Sequence, residues 1–142
     1  MPTKSNTNDF HDFKVNVRIR LSGLWTSVMF CYIYGDYFKL YVPGTVNGLI
    51  SGHNMVDNPS KLFAAAFMMT IPALMISLSL VLKTKINRLL NIIFGTVFTA
   101  VMLLIAIFSF EKWLSFYLFL AIAESILTLI IVWQAVTWTK AN

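Results

Sequence analysis

Four long apolar runs separated by short polar breaks dominate the chain, at residues 21–42, 62–82, 89–110 and 113–138. Each exceeds the roughly 20 residues that a helix needs to cross about 30 Å of hydrocarbon. Helix is the expected form, because lipid offers the backbone no hydrogen-bond partners and an open strand would leave its own unsatisfied. Residues 13–21 alternate apolar and polar side chains. Taken alone, that period of two reads as a strand. Beside a membrane a lone strand has no partner, so the stretch is expected to be an interfacial lead-in to the first helix.

The breaks carry their own signals. Pro43-Gly44 closes the first run with turn chemistry. Residues 44–61 form a loop rich in Gly, Asn and Ser, in which 46–50 is expected to be a short interfacial helix. Asn58-Pro59-Ser60 reads as a helix start, a capping residue followed by proline in the first turn. Pro72 lies inside the second run, where it removes a backbone bond and is expected to kink the helix. Residues 83–88 form a short basic turn, and Glu111-Lys112 a minimal polar break. Connections this short force antiparallel neighbours. The expected fold class is an all-α membrane protein, an antiparallel bundle of four transmembrane helices. Residues 1–20 would be a polar tail and lead-in, and 21–142 the transmembrane domain.

Composition agrees. Of 142 residues, 58% are hydrophobic and 12% charged, whereas a soluble domain carries about 25% charged residues. Mean hydropathy is +0.73. The net charge of +5 would suggest nucleic acid in a soluble protein. Here the basic residues sit at helix ends, where they meet lipid headgroups and set orientation; no nucleic-acid partner is expected. Lys4, Lys14, Arg18, Arg20, Lys83, Lys85, Arg88 and Lys140 fall on one side, and Lys39, Lys61 and Lys112 on the other. That excess puts both termini in the cytoplasm. Tyr37, Tyr41, Trp113 and Tyr117 would form the outer aromatic belt, and Trp25, Trp133 and Trp138 the inner one. The polar first 20 residues do not read as a signal peptide.

Helical spacing assigns each run an inner stripe of small or polar residues. The first has Ser22, Thr26, Met29, Ile33 and Asp36, and the second Ala66, Thr70, Ala73 and Ser77. The third has Asn87, Asn91, Gly95, Met102 and Ser109, and the fourth Tyr117, Ala121, Glu124, Thr128 and Ala135. Small side chains allow close helix approach and polar ones need partners, so these stripes are expected to face one another.

Two acids go beyond packing. Glu124 lies near the middle of the fourth run, where a carboxylate costs about 2.5 kcal/mol or more unless paired, hydrated or protonated. At its depth the expected neighbours are Thr70, Thr99 and Tyr32. Asp36 lies near the outer end of the first run, between Tyr32 and Lys39. At about 1.5 Å of rise per residue the two acids differ in depth by at most roughly 10 Å. Two readings stay open. In the packing reading Glu124 is a protonated acid hydrogen-bonded between helices, and Asp36 pairs with Lys39 or a tyrosine at the interface. In the functional reading both acids share one outward-opening pocket with Tyr32 and Tyr37 that holds a small amphipathic ligand or carries a proton.

Other chemistry lacks its residues. The single cysteine, Cys31, excludes an internal disulfide, a CxxC centre and a thiolate zinc site. His11 falls in the tail, and His53, with Asn54 and Asp57, in the loop, so no transmembrane histidine can ligate haem. Nucleophile, metalloprotease, phosphate-loop and dinucleotide motifs are missing. No cofactor, metal or catalytic residue is assigned.

The stretch LWTSVMFCYIYGDYF at 24–38, with Pro43-Gly44, IPALM at 71–75, KINRLLNIIFG at 85–95 and ESILTLIIVW at 124–133, resembles an uncharacterised bacterial family of four-helix membrane proteins. That resemblance implies a multi-pass protein of the bacterial inner membrane, of a family that carries only a domain-of-unknown-function label. The plan is more distantly similar to DoxX-like proteins. It is also similar to vitamin K epoxide reductase, whose paired cysteines this chain lacks. Three functional classes follow, in descending order. The first is a bundle that binds a small amphipathic or lipidic ligand, or a membrane partner. The second is a homo-oligomeric transporter or proton-coupled channel subunit using Glu124. The third is a membrane enzyme, ranked last because no nucleophile–base pair is present.

Overall fold

A computed structural model describes residues 14–108 and 112–138. The expectations for the N-terminal tail, Ser109, Glu111 and Lys140 lie outside the described residues. Within them every regular element is helical. Helix α1 is Val17–Lys39, α2 Thr45–Ser51, α3 Pro59–Val81 and α4 Thr84–Phe108; a turn of 3₁₀ helix, Lys112–Leu114, leads into α5, Ser115–Thr137.

Local chemistry explains these boundaries. The Asn16 side chain accepts a bond of 2.9 Å from the Arg18 N–H and caps α1. Helix therefore absorbs the alternating stretch from Val17 onward. Asn58 caps α3 in the same way, accepting from the Lys61 N–H at 2.9 Å, with Pro59 in the first turn. Gly44 (φ 85°) and Gly52 (φ 76°) bracket α2 in the left-handed region that favours glycine. Helix α3 passes through Pro72 as one continuous element. The basic turn is shorter than the sequence suggests, because Lys85 and Arg88 already belong to α4.

The four long helices pack side by side. Helix α1 lies against α3 and α5, α5 lies along α4, and α3 touches α4 only lightly. Two arginines join ends that antiparallel packing brings together. Arg18 donates to the Leu80 carbonyl at 3.0 Å, and Arg88 donates to the Val136 carbonyl at 2.9 Å. Each satisfies a carbonyl in the last turn of a neighbouring helix. Gly95 packs tightly against α5: a Cβ there would lie 2.7 Å from Val132 Cγ2.

Helices α1 and α4 face each other across the interior, and aromatic side chains span the gap. Trp25 is fully buried and sits edge-on to Phe98, with ring centroids 6.1 Å apart. Its indole N–H donates to Asn91 Oδ1 at 2.8 Å. The Asn91 amide in turn donates to Asn87 Oδ1 at 2.7 Å, and the Asn87 amide to the Ser79 carbonyl at 2.6 Å. This polar chain ties α1, α4 and α3 together inside the core.

The stripes on α4 and α5 are buried as read: Asn87, Asn91, Gly95 and Met102 on one, Ala121, Glu124, Thr128 and Ala135 on the other. On α1 the buried face is Leu21, Ser22, Trp25, Val28, Tyr32 and Gly35, rotated away from Ile33 and Asp36. Trp25 thus belongs to the core and not to the inner aromatic belt. On α3 the buried residues are Pro72, Met75 and Ser79, while Ala66, Thr70, Ala73 and Ser77 are exposed. Large side chains occupy these two interfaces: Trp25 donates to Asn91, and Met75 packs in the same core cluster.

Three helical segments are long and apolar enough to cross a membrane: Pro59–Val81, Thr84–Phe108 and Lys112–Thr137. Their outward faces carry large apolar side chains such as Phe63, Phe67, Leu104 and Phe119. Helix α1 matches them in length, at 23 residues, but carries Arg18, Arg20, Asp36 and Lys39.

Candidate functional site

Two neighbouring recesses flank the C-terminal half of α1. The inner one is a cavity of about 20 Å³ between α1, α4 and α5, lined by Cys31, Tyr32, Gly35, Met102, Tyr117, Leu120, Ala121 and Glu124. Glu124 is 4% exposed. It lines the cavity, and its backbone carbonyl accepts from Thr128 Oγ1 at 2.9 Å. Tyr32 is 8% exposed, and among the described residues its hydroxyl has no hydrogen-bond partner. The Tyr117 ring stands beside Gly35 and carries the Lys39 ammonium 5.6 Å from its centroid, a cation–π contact that tethers it.

The outer recess is larger, about 560 Å³, formed by the end of α1, by α2 with the loop after it, and by the start of α3. Asp36, Lys39 and His53 supply its charged and titratable groups, and Leu40, Leu49, Met55, Val56 and Leu62 much of its apolar wall. Lys61 pairs with Asp57 at 2.7 Å, the one ion pair among the described residues, so Asp36 has no cation within salt-bridge distance.

Asp36 and Glu124 are thus close but line different recesses. Consecutive helical residues differ by about 100° around the axis. Gly35 faces α5 and the inner cavity; Asp36, the next residue, turns toward α2 and α3.

Among the sequence candidates, the structure brings Tyr32 to Glu124. Tyr37 is elsewhere, 49% exposed, with its hydroxyl 2.7 Å from that of Tyr41. Thr70 is exposed on α3, with its hydroxyl bonded to the Ala66 carbonyl at 2.8 Å. Thr99 is buried one layer from Glu124, 2.7 Å from the Thr128 hydroxyl and 2.8 Å from the Gly95 carbonyl. His53 Nδ1 lies 3.1 Å from the Ser51 carbonyl.

Sequence reading did not anticipate Cys31, Gly35 or Leu120 beside Glu124, nor the α2 wall around Asp36. A partial signal existed. Residues 31, 32 and 35 share one helical face, and that face points at Tyr117, Ala121 and Glu124 only after α1 and α5 have docked.

Residues 9–142 match the model of a family of unknown function (DUF6326), and the chain belongs to that family. No curated protein and no solved structure matches it.

Proposed function

We propose that this protein is a four-span membrane protein that binds a small amphipathic or lipidic ligand in the recess between α1, α2 and α3. The observation that carries this reading is Asp36, a carboxylate without an ion pair among the described residues, at the edge of a mostly apolar recess of about 560 Å³. Ligand sites typically occupy about 300–1,000 Å³, with apolar walls and a few convergent polar groups. Asp36 suits a ligand head that donates hydrogen bonds or carries positive charge, and Leu40, Leu49 and Val56 suit its apolar body. Helix α1 is the fourth span in this reading, with Arg18 and Arg20 at the cytoplasmic surface and α2 on the far side. Both termini are then cytoplasmic, and a bacterial inner membrane suits the charge bias.

The test is copurification of lipids and metabolites, read by mass spectrometry on the full chain in nanodiscs. Asp36→Asn and the space-filling Ala65→Trp should both lose a species that the unmodified protein retains. Retention in both would overturn the reading. Glu124→Gln should keep the species, because Glu124 lines the other cavity.

The second reading, a homo-oligomeric transporter or channel subunit, draws on α3. Its small residues Ala66, Thr70, Ala73 and Ser77 face outward, the kind of surface on which membrane helices approach closely. A single-copy mass in native membrane particles would eliminate it.

A further inference from the structure

We propose that the Tyr32–Glu124 cavity is an internal hydration site: one water molecule joins the Tyr32 hydroxyl to the Glu124 carboxyl, which is held as the neutral acid. The site is separate from the ligand recess.

Size selects the occupant. The cavity measures about 20 Å³, and one water needs about 10–15 Å³ together with two or more polar partners. An organic ligand does not fit. A metal cation would need several hard oxygen donors, and the lining offers one carboxyl and one phenol. The remaining lining is Cys31, a weak donor, with Gly35, Met102, Tyr117, Leu120 and Ala121.

Chemistry selects it as well. A buried hydroxyl without a partner is costly, and Tyr32 is buried in just that condition on the wall of this cavity. One water accepts from the Tyr32 O–H and exchanges a further hydrogen bond with the Glu124 carboxyl. That single molecule answers the needs of both side chains.

The surroundings favour the neutral acid. No lysine, arginine or histidine lines the cavity from any element. Helix α1 contributes Cys31 and Tyr32, with Asp36 just beyond Gly35; α5 contributes Tyr117; α4 contributes Met102. Lys39, one turn beyond Gly35 on α1, rests over the Tyr117 ring. An isolated carboxylate in so apolar a place is expensive, and binding a proton removes that cost. Tyr32, water and Glu124 then form a unit that holds one acidic proton, on the Glu124 carboxyl, inside the bundle.

Infrared spectroscopy of the full chain in lipid nanodiscs at neutral pH tests this. Unmodified protein should show a carboxylic-acid C=O band that disappears in Glu124→Gln. In Tyr32→Phe, which keeps the ring and its packing, the band should move to higher frequency as the acid loses the ordered water. An internal-water O–H band that shifts in ¹⁸O-water should be present in unmodified protein and lost in Tyr32→Phe. Tyr37→Phe should leave both bands in place. Absence of the acid band from unmodified protein, or a band that Tyr32→Phe does not move, overturns the proposal. Neither result depends on ligand retention, which Asp36→Asn reads separately.

Discussion

The Trp25 indole nitrogen lies 2.8 Å from Asn91 Oδ1, and both side chains are fully buried. This bond spans the interior from α1 to α4. It also anchors a chain in which Asn91 holds Asn87 and Asn87 holds the last turn of α3. A directional bond of this kind constrains helix rotation more sharply than apolar packing does.

Trp25→Phe should therefore destabilise the protein. It removes the indole donor and leaves Asn91 Oδ1 short of a partner in a buried site, a cost of about 1–3 kcal/mol. Thermal unfolding in detergent, followed by circular dichroism, should show a lower midpoint. An unchanged midpoint would show that the bond is dispensable.

Gly95 and Gly23 form a matched pair. A Cβ at Gly95 meets Val132 at 2.7 Å, whereas one at Gly23 meets nothing within 4 Å. Gly95→Ala should destabilise by about 1 kcal/mol or more through overpacking. Gly23→Ala should be neutral or mildly stabilising, since alanine favours helix over glycine by about 1 kcal/mol. The order of the two unfolding midpoints checks the α4–α5 contact.

Gly48 tests the wall of the outer recess. An added Cβ would lie 2.8 Å from the His53 backbone carbonyl, which cannot swing away as a side chain can. Gly48→Ala should displace the loop after α2 and weaken ligand retention, while the unfolding midpoint falls by much less than in Trp25→Phe. A large loss of stability would show that α2 supports the core and is more than a wall.

Topology is tested by labelling. In a Cys31→Ala background, Ser51→Cys, at the end of α2, and Thr84→Cys, at the start of α4, flank α3 on its two sides in sequence. An impermeant maleimide added outside intact cells should label Ser51→Cys and spare Thr84→Cys. Lys14→Cys, just before α1, should behave like Thr84→Cys. Labelling of Lys14→Cys from outside would mean that α1 does not cross.

The sequence by itself determined the helices and much of their ends. Apolar length sets three segments able to cross a membrane, and Gly44 and Asn58 mark boundaries, because capping and backbone conformation are local properties. It also showed the buried faces of α4 and α5, where Asn87, Asn91, Gly95, Glu124 and Thr128 have few alternatives to an interior place. The tertiary structure alone decided how α1 and α3 are rotated. There the polar residues Asp36, Thr70 and Ser77 turned outward, and Trp25 and Met75 took the core. That rotation placed Tyr32 and Glu124 on the wall of one cavity and sent Asp36 to a separate recess. The physical reason is that a side chain's burial in a helical bundle depends on the partner it finds on another helix, and one chain segment does not carry that partner's position.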